Sequence, residues 1–334
     1  MTLAPAPSQS LTEHVVAVEA GAHVIGLAWL GPKAAFALAD GEVLMTDGRE
    51  AARVATHPGG GILVAARADN TLITGGDDGR VVATFPDGTN LERGKEPGRW
   101  IDAVTGGRDG AIAWSAGKTV RTLDGKGQMR SFTAPTTAQG LAFMPKGYRL
   151  AIAHYNGVTL WFPNTDAKPD VFAWKGSHLS VTISPDGQYA VTAMQENSLH
   201  GWRLSDRKDM RMSGYPSKTR SLSWSHDGNW LATSGAEAAI IWPFDKQGPM
   251  GRAPRECGVR PVRVARVAFH PRALVLASAY EDGTILLIRL TDASELVVQN
   301  ATGAPITALA WDDTGRSLAF GDEAGNGGLF TLPR

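Results

Sequence analysis

Leu179-Ser180-Val181-Thr182-Ile183-Ser184-Pro185-Asp186-Gly187, then Tyr189-Ala190-Val191-Thr192-Ala193, then Ser198-Leu199-His200-Gly201-Trp202-Arg203-Leu204, read as strand, turn, strand, turn, strand. In the first run, alternation puts Leu179, Val181 and Ile183 on one face. Pro-Asp-Gly supplies the fixed and the positive φ values that a tight reversal needs. Ser225-His226-Asp227-Gly228 and Asp312-Asp313-Thr314-Gly315 occupy the same turn further along. Asp78-Gly79, Asn156-Gly157 and Asp282-Gly283 repeat the second turn as two-residue hairpin dipeptides. The stretch is therefore one copy of a repeating antiparallel meander.

The first strand recurs through the whole chain, as Val24-Ile25-Gly26-Leu27-Ala28-Trp29, Gln139-Gly140-Leu141-Ala142-Phe143, Arg220-Ser221-Leu222-Ser223-Trp224, Ala265-Arg266-Val267-Ala268-Phe269 and Thr307-Ala308-Leu309-Ala310-Trp311. Equivalent positions are Trp29, Ala66, Thr105, Phe143, Ile183, Trp224, Phe269 and Trp311, about 37 to 45 residues apart. Units of that length cannot bury an apolar face alone and must stack on their neighbours. The expected fold is all-β, a propeller of four-stranded antiparallel blades. Eight blades are preferred; seven is the alternative, because the units around residues 61–75 and 101–114 carry the weakest pattern. The last unit ends at Leu329-Phe330-Thr331-Leu332 without an outer strand, and His14-Val15-Val16-Ala17-Val18 precedes the first unit without a partner. The N-terminal strand is expected to complete the last blade and so close the ring. Residues 1–12 are expected to form a disordered tail and 13–334 a single domain.

Composition agrees. The 334 residues include 39 Gly and 19 Pro, which suit short strands and frequent turns. Lys plus Arg and Asp plus Glu number 33 each, so no whole-molecule charge attracts nucleic acid or a membrane surface. The single cysteine, Cys257, rules out an internal disulfide and fits a reducing compartment. No run of eighteen apolar residues occurs, and the first ten residues lack the basic start and apolar stretch of a secretory signal. A cytoplasmic protein is expected.

The units resemble the WD40 repeat family, in which an apolar strand, Ser-Pro-Asp-Gly, a strand with Ala-Ser/Thr, an Asp-Gly turn and a strand ending in Trp follow one another. Ser184-Pro185-Asp186-Gly187 with Thr192 and Trp202, Ser225-His226-Asp227-Gly228 with Ala232-Thr233 and Trp242, Met144-Pro145 with Asn156-Gly157 and Trp161, and His270-Pro271 with Ser278 and Asp282-Gly283 carry the likeness. Trp161, Trp202 and Trp242 are followed by Phe162, Arg203 and Pro243, so no third strand ends in the Trp-Asp that names the family. The family's polar side-chain relay is incomplete in every copy, the nearest set being His178, Thr192, Glu196 and Trp202. Apolar packing is therefore expected to dominate. The resemblance implies a non-catalytic scaffold that displays loops to a protein partner. A propeller enzyme or a small-ligand binder using the central channel is the alternative.

Candidate chemistry is sparse. The eight His show no metal-ligand spacing, Pro58-Gly59-Gly60-Gly61 precedes a strand and lacks the Lys of a phosphate loop, and no Gly-x-Ser-x-Gly occurs. No cofactor, metal or catalytic residue is assigned. Six of the ten Trp fall at core positions of first or third strands. Trp100, led in by Pro97-Gly98-Arg99, is placed at a propeller mouth, with Tyr155 and Tyr280. Residues 200–266 hold twelve basic and six acidic side chains. Arg252, Arg255 and Arg263 lie in what reads as the longest connection between units, and Arg220 opens a first strand. These residues make an acidic segment of a partner protein the expected contact. Nucleic acid is the least favoured partner because aromatics do not interleave with the basic residues. The protein alone is expected to be a monomer.

Overall fold

A computed structural model describes residues 9–245 and 247–333. Among the described residues there are 31 strands, antiparallel within each unit from the channel outward apart from the two-residue strand Gln9–Ser10. Unit 1 is typical: Val24–Leu30, Lys33–Leu38, Glu42–Thr46 and Ala51–Ala55 pair in sequence order.

The strands form seven continuous hydrogen-bonded sheets, one of which has six strands. That sheet holds two of the sequence units. Leu150–Trp161 supplies the second and third strands of unit 4, reversing at Asn156 and Gly157, where φ is 70° and 144°. Asp170–Ile183 then pairs through its first half with residues 157–160 and through its second half with 190–194, so it is both the outer strand of unit 4 and the inner strand of unit 5. The seven sheets agree with the alternative of seven blades, not with the preferred eight; the eight sequence units exceed the sheets by one because two units share a sheet. The inner strands of units 4 and 5 pack so closely that a β-carbon at Gly140 would lie 2.6 Å from Ser180 Cα. The two units with the weakest sequence pattern are both sheets of four strands.

The recurring first-strand tryptophans explain how neighbours lock together. Trp29 Nε1 donates to Ala310 O at 3.0 Å, Trp224 Nε1 to Thr182 Oγ1 at 3.0 Å and Trp311 Nε1 to Ala268 O at 3.2 Å. Each indole reaches back to the inner strand of the preceding unit, satisfying its N–H while its ring fills the space between sheets. The core consists of such inter-sheet layers. Between units 6 and 7, for example, Ile241, Val264, Val267, Leu286 and Ile288 bury their side chains together.

Closure occurs as expected. Val15–Glu19 pairs antiparallel with Asn326–Thr331, Val15 opposite Phe330 and Val18 opposite Gly327. Of the expected tail, residues 1–8 lie outside the described residues, but Gln9–Ser10 runs parallel to the outer strand Glu295–Gln299 of unit 7, and Leu11 N donates to Val297 O. Residues 9–11 of that expected tail are thus paired, because the exposed edge of that outer strand offers backbone partners.

The polar relay is distributed differently from the sequence expectation. His178 Nδ1 meets Thr192 Oγ1 at 2.7 Å, but Glu196 accepts from the Ser177 backbone N–H and Trp202 only packs against the imidazole. A fuller relay stands in unit 2, where His57 joins Thr74 Oγ1 at 2.9 Å and Asp78 Oδ1 at 3.0 Å. Burial holds the His57 pKa below its ordinary value against the pull of Asp78. In unit 6 a tyrosine takes the same position: Trp242 Nε1 donates to Tyr215 Oη at 2.6 Å, and that hydroxyl lies 2.7 Å from Thr233 Oγ1.

Candidate functional site

Antiparallel order divides the loops between two faces. Turns joining first to second and third to fourth strands lie on one face; turns joining second to third strands, and the connections between units, lie on the other. Trp100 precedes the inner strand Ala103–Gly106, Tyr155 lies in the reversal of unit 4, and Arg220 and Arg263 precede the inner strands Leu222–Trp224 and Val264–Phe269. These four share the second face.

Arg252 and Arg255 do not. A fourth strand, Arg255–Cys257, pairs with Ala239–Pro243, so the long stretch joins the third and fourth strands of unit 6 and belongs to the first face. The single basic patch expected from the sequence is split across the molecule, because that stretch contains an outer strand and is not wholly a connection between units. Arg252 is paired with Asp245, and Arg255 lies over the Trp230 ring at 4.4 Å. Tyr280 is a second correction. It is 0% exposed, and its hydroxyl donates to Gly258 O, so it belongs to the core and offers nothing at a mouth. Burial pushes its pKa up to about 12. Trp100, 67% exposed, and Tyr155, 49% exposed, do stand at the surface. Tyr155 lines a shallow hollow with Trp174 and Lys175.

Near the channel, loops of units 5 to 8 converge on an open depression of about 600 Å³. Its charged lining is Lys218, Arg220, Arg263 and Arg266 against Glu281 and Glu323. The structure therefore brings Arg220 and Arg263 together and adds Lys218 and Arg266. A β-bulge between Val264 and Arg266 shifts the strand register at this rim, and bulges recur at the same place in units 1, 2, 5 and 8. Such bulges re-aim side chains at the ends of strands. Arg266 is anchored by Nε donating to Thr307 O at 2.6 Å and Nη1 donating to Ala265 O at 3.0 Å. Burial, and then the nearby positive charge of Arg220, hold its pKa below the ordinary arginine value. The arrangement can bind oxyanions. Among the described residues no three His, Cys, Asp or Glu side chains come together as a metal site. No described helix is long and apolar enough to cross a membrane.

Comparison with known proteins finds likenesses in sequence over part of the chain and in fold over nearly all of it. Residues 209–242 match the family model described as WD domain, G-beta repeat; they run from the outer strand of unit 5 through Trp242. Protein HIR1 of Yarrowia lipolytica (strain CLIB 122 / E 150) is 24% identical over 227 residues, covering 61% of this chain and 19% of its own length. The chain thus matches less than a fifth of that relative. In fold, it is similar to the crystal structure of a computationally designed protein, Ika8, with a TM-score of 0.77 over 97% of this chain and 100% of that one, at 17% identity. The class is the β-propeller. Within it, this chain is similar to the WD40-repeat proteins, whose family model matches one stretch of it.

Proposed function

We propose that the protein is a non-catalytic, cytoplasmic, monomeric platform that presents the face bearing Trp100, Tyr155 and the cationic depression to another protein. WD40 propellers commonly bind other proteins. The observation that carries the reading is convergence: loops from units 5 to 8 meet around one depression with four cationic side chains, while Trp100 and Tyr155 stand exposed on the same face. Strands fix the bases of these loops, so little ordering is left to oppose a partner's docking. Trp and Arg are also the side chains that most often anchor protein interfaces.

The reading is tested by photo-cross-linking in lysate of the source organism, with a photo-reactive residue replacing Trp100 on this face or Lys146 on the other. Position 100 should capture a discrete protein adduct that position 146 does not. Capture from position 146 alone would overturn the assignment of the face.

A further inference from the structure

Five of the nine arginines of residues 200–266 enter ion pairs. Arg203 pairs with Asp206, Arg207 with Asp170, Arg252 with Asp245, and Arg260 with Glu295. Arg263 reaches Glu281 only at 4.0 Å. Among the described residues of this segment, Lys208, Arg211, Lys218, Arg220, Arg255 and Arg266 enter no ion pair, and of these Lys218, Arg220 and Arg266 line the depression near the channel. A part-buried guanidinium with a like charge beside it is unfavourable in the folded chain, and such local conflicts concentrate at functional sites. An arriving oxyanion would relieve both burial and repulsion, and it would meet donors already oriented by Thr307 O and the bulged strand.

The surroundings narrow the chemistry. Glu281 and Glu323 also line the depression and would repel a continuous polyanion. No Phe, Trp or Tyr lines it and His23 is its single aromatic ring, so it lacks the run of stacking surfaces that single-stranded nucleic acids use. Isolated carboxylates spaced along a polypeptide suit alternating charges better. We propose that this depression binds an acidic segment of a partner protein, one carboxylate seating between Arg220 and Arg266 while Lys218 and Arg263 hold its neighbours. The proposal rests on the reading of this face as the binding surface and names what it binds.

The test uses the full chain and fluorescence anisotropy with a labelled decapeptide alternating Glu and Gly. Its Gln-Gly counterpart, a single-stranded DNA decanucleotide and inorganic phosphate as competitor complete the set. The Glu peptide should bind and the Gln peptide should not. Binding should weaken with salt, because exposed charges are screened over about 8–10 Å. Arg220→Gln should weaken it about tenfold, whereas Arg252→Gln on the other face should leave it unchanged. The melting temperature of Arg220→Gln should equal or exceed that of the parent, since a repulsive charge is removed. Phosphate should compete weakly, as a single oxyanion filling one subsite. Failure of the Glu peptide to bind, binding indifferent to Arg220→Gln, or tighter binding of the oligonucleotide would each overturn the proposal. If the peptide fails while cross-links from position 100 persist, the acidic-segment site falls and the platform reading stands.

Discussion

Arg67 and Asp313 lie 246 residues apart and form a two-pronged ion pair, Nη1 to Oδ1 at 2.6 Å and Nη2 to Oδ2 at 2.7 Å. It joins the end of unit 2's inner strand to the first turn of unit 8, passing over unit 1, on the face opposite the cationic depression. The contact ties across the place where the two ends of the chain close the ring. Asp313 remains 72% exposed, so the pair is worth roughly 0–1 kcal/mol.

Hydrogen bonding from Arg67 lowers the Asp313 pKa below its ordinary value. A carboxylate depressed in the folded state contributes stability that is present above its unfolded pKa and lost as pH falls through the folded one. Asp313→Asn should therefore lower the melting temperature slightly at neutral pH, and the difference from the parent should shrink below about pH 4. Thermal melts from pH 3 to 7 check this; a difference that grows on acidification would contradict it.

Trp202 is 2% exposed and packs against Phe172, His178 and His200, whereas Trp100 is 67% exposed. Trp202→Ala should cost about 3–5 kcal/mol in denaturant unfolding. Trp100→Ala should stay within about 0.5 kcal/mol. Comparable losses would place Trp100 in the core.

Tyr215 accepts the indole N–H of Trp242 and hydrogen-bonds Thr233, and burial pushes its pKa up to about 12. Tyr215→Phe keeps the ring and strands the Trp242 N–H, while Thr233 Oγ1 keeps its bond to Ile240 O, so a loss of about 1–3 kcal/mol is expected. Tyr215→His, introducing the residue that stands there as His57 and His178 in units 2 and 5, should recover part of it. No loss in Tyr215→Phe would show that the hydroxyl is dispensable.

Deleting residues 1–20 removes Val15–Glu19 and bares the edge of Asn326–Thr331, which should destabilise or aggregate the protein. Deleting residues 1–8 leaves every described strand pairing in place. Equal melting temperatures for the two truncations would contradict the closure.

The architecture was legible because it is periodic. One inner strand ending in Trp or Phe returns along the chain, and its turns carry Pro-Asp-Gly or Asp-Gly. Outer strands were harder to read. Arg255–Cys257 is three residues long, interrupted by charge, and reads as loop, which placed Arg252 and Arg255 on the wrong face. Tyr280 looked like a mouth residue because it borders the Asp282-Gly283 turn, yet alternation along Val275–Tyr280 points its side chain between sheets. Arg266 left a signal that could have been read: where aligned inner strands have Gly26, Gly140, Ser221 and Ala308, unit 7 has arginine. A large charged side chain at a position that elsewhere admits small residues marks the strand whose end faces the depression. The unpaired state of Arg220 and Arg266 depends on which loops meet around the ring, and no spacing within one unit encodes that.

The most direct measurement compares the affinity of the partner captured at position 100 for two charge reversals: Lys218→Glu with Arg220→Glu at the depression, and Arg252→Glu with Arg255→Glu on the opposite face. The account predicts that the first weakens binding by about tenfold or more, with a flattened salt dependence, and that the second leaves it unchanged. Binding insensitive to the first reversal and weakened by the second would contradict it.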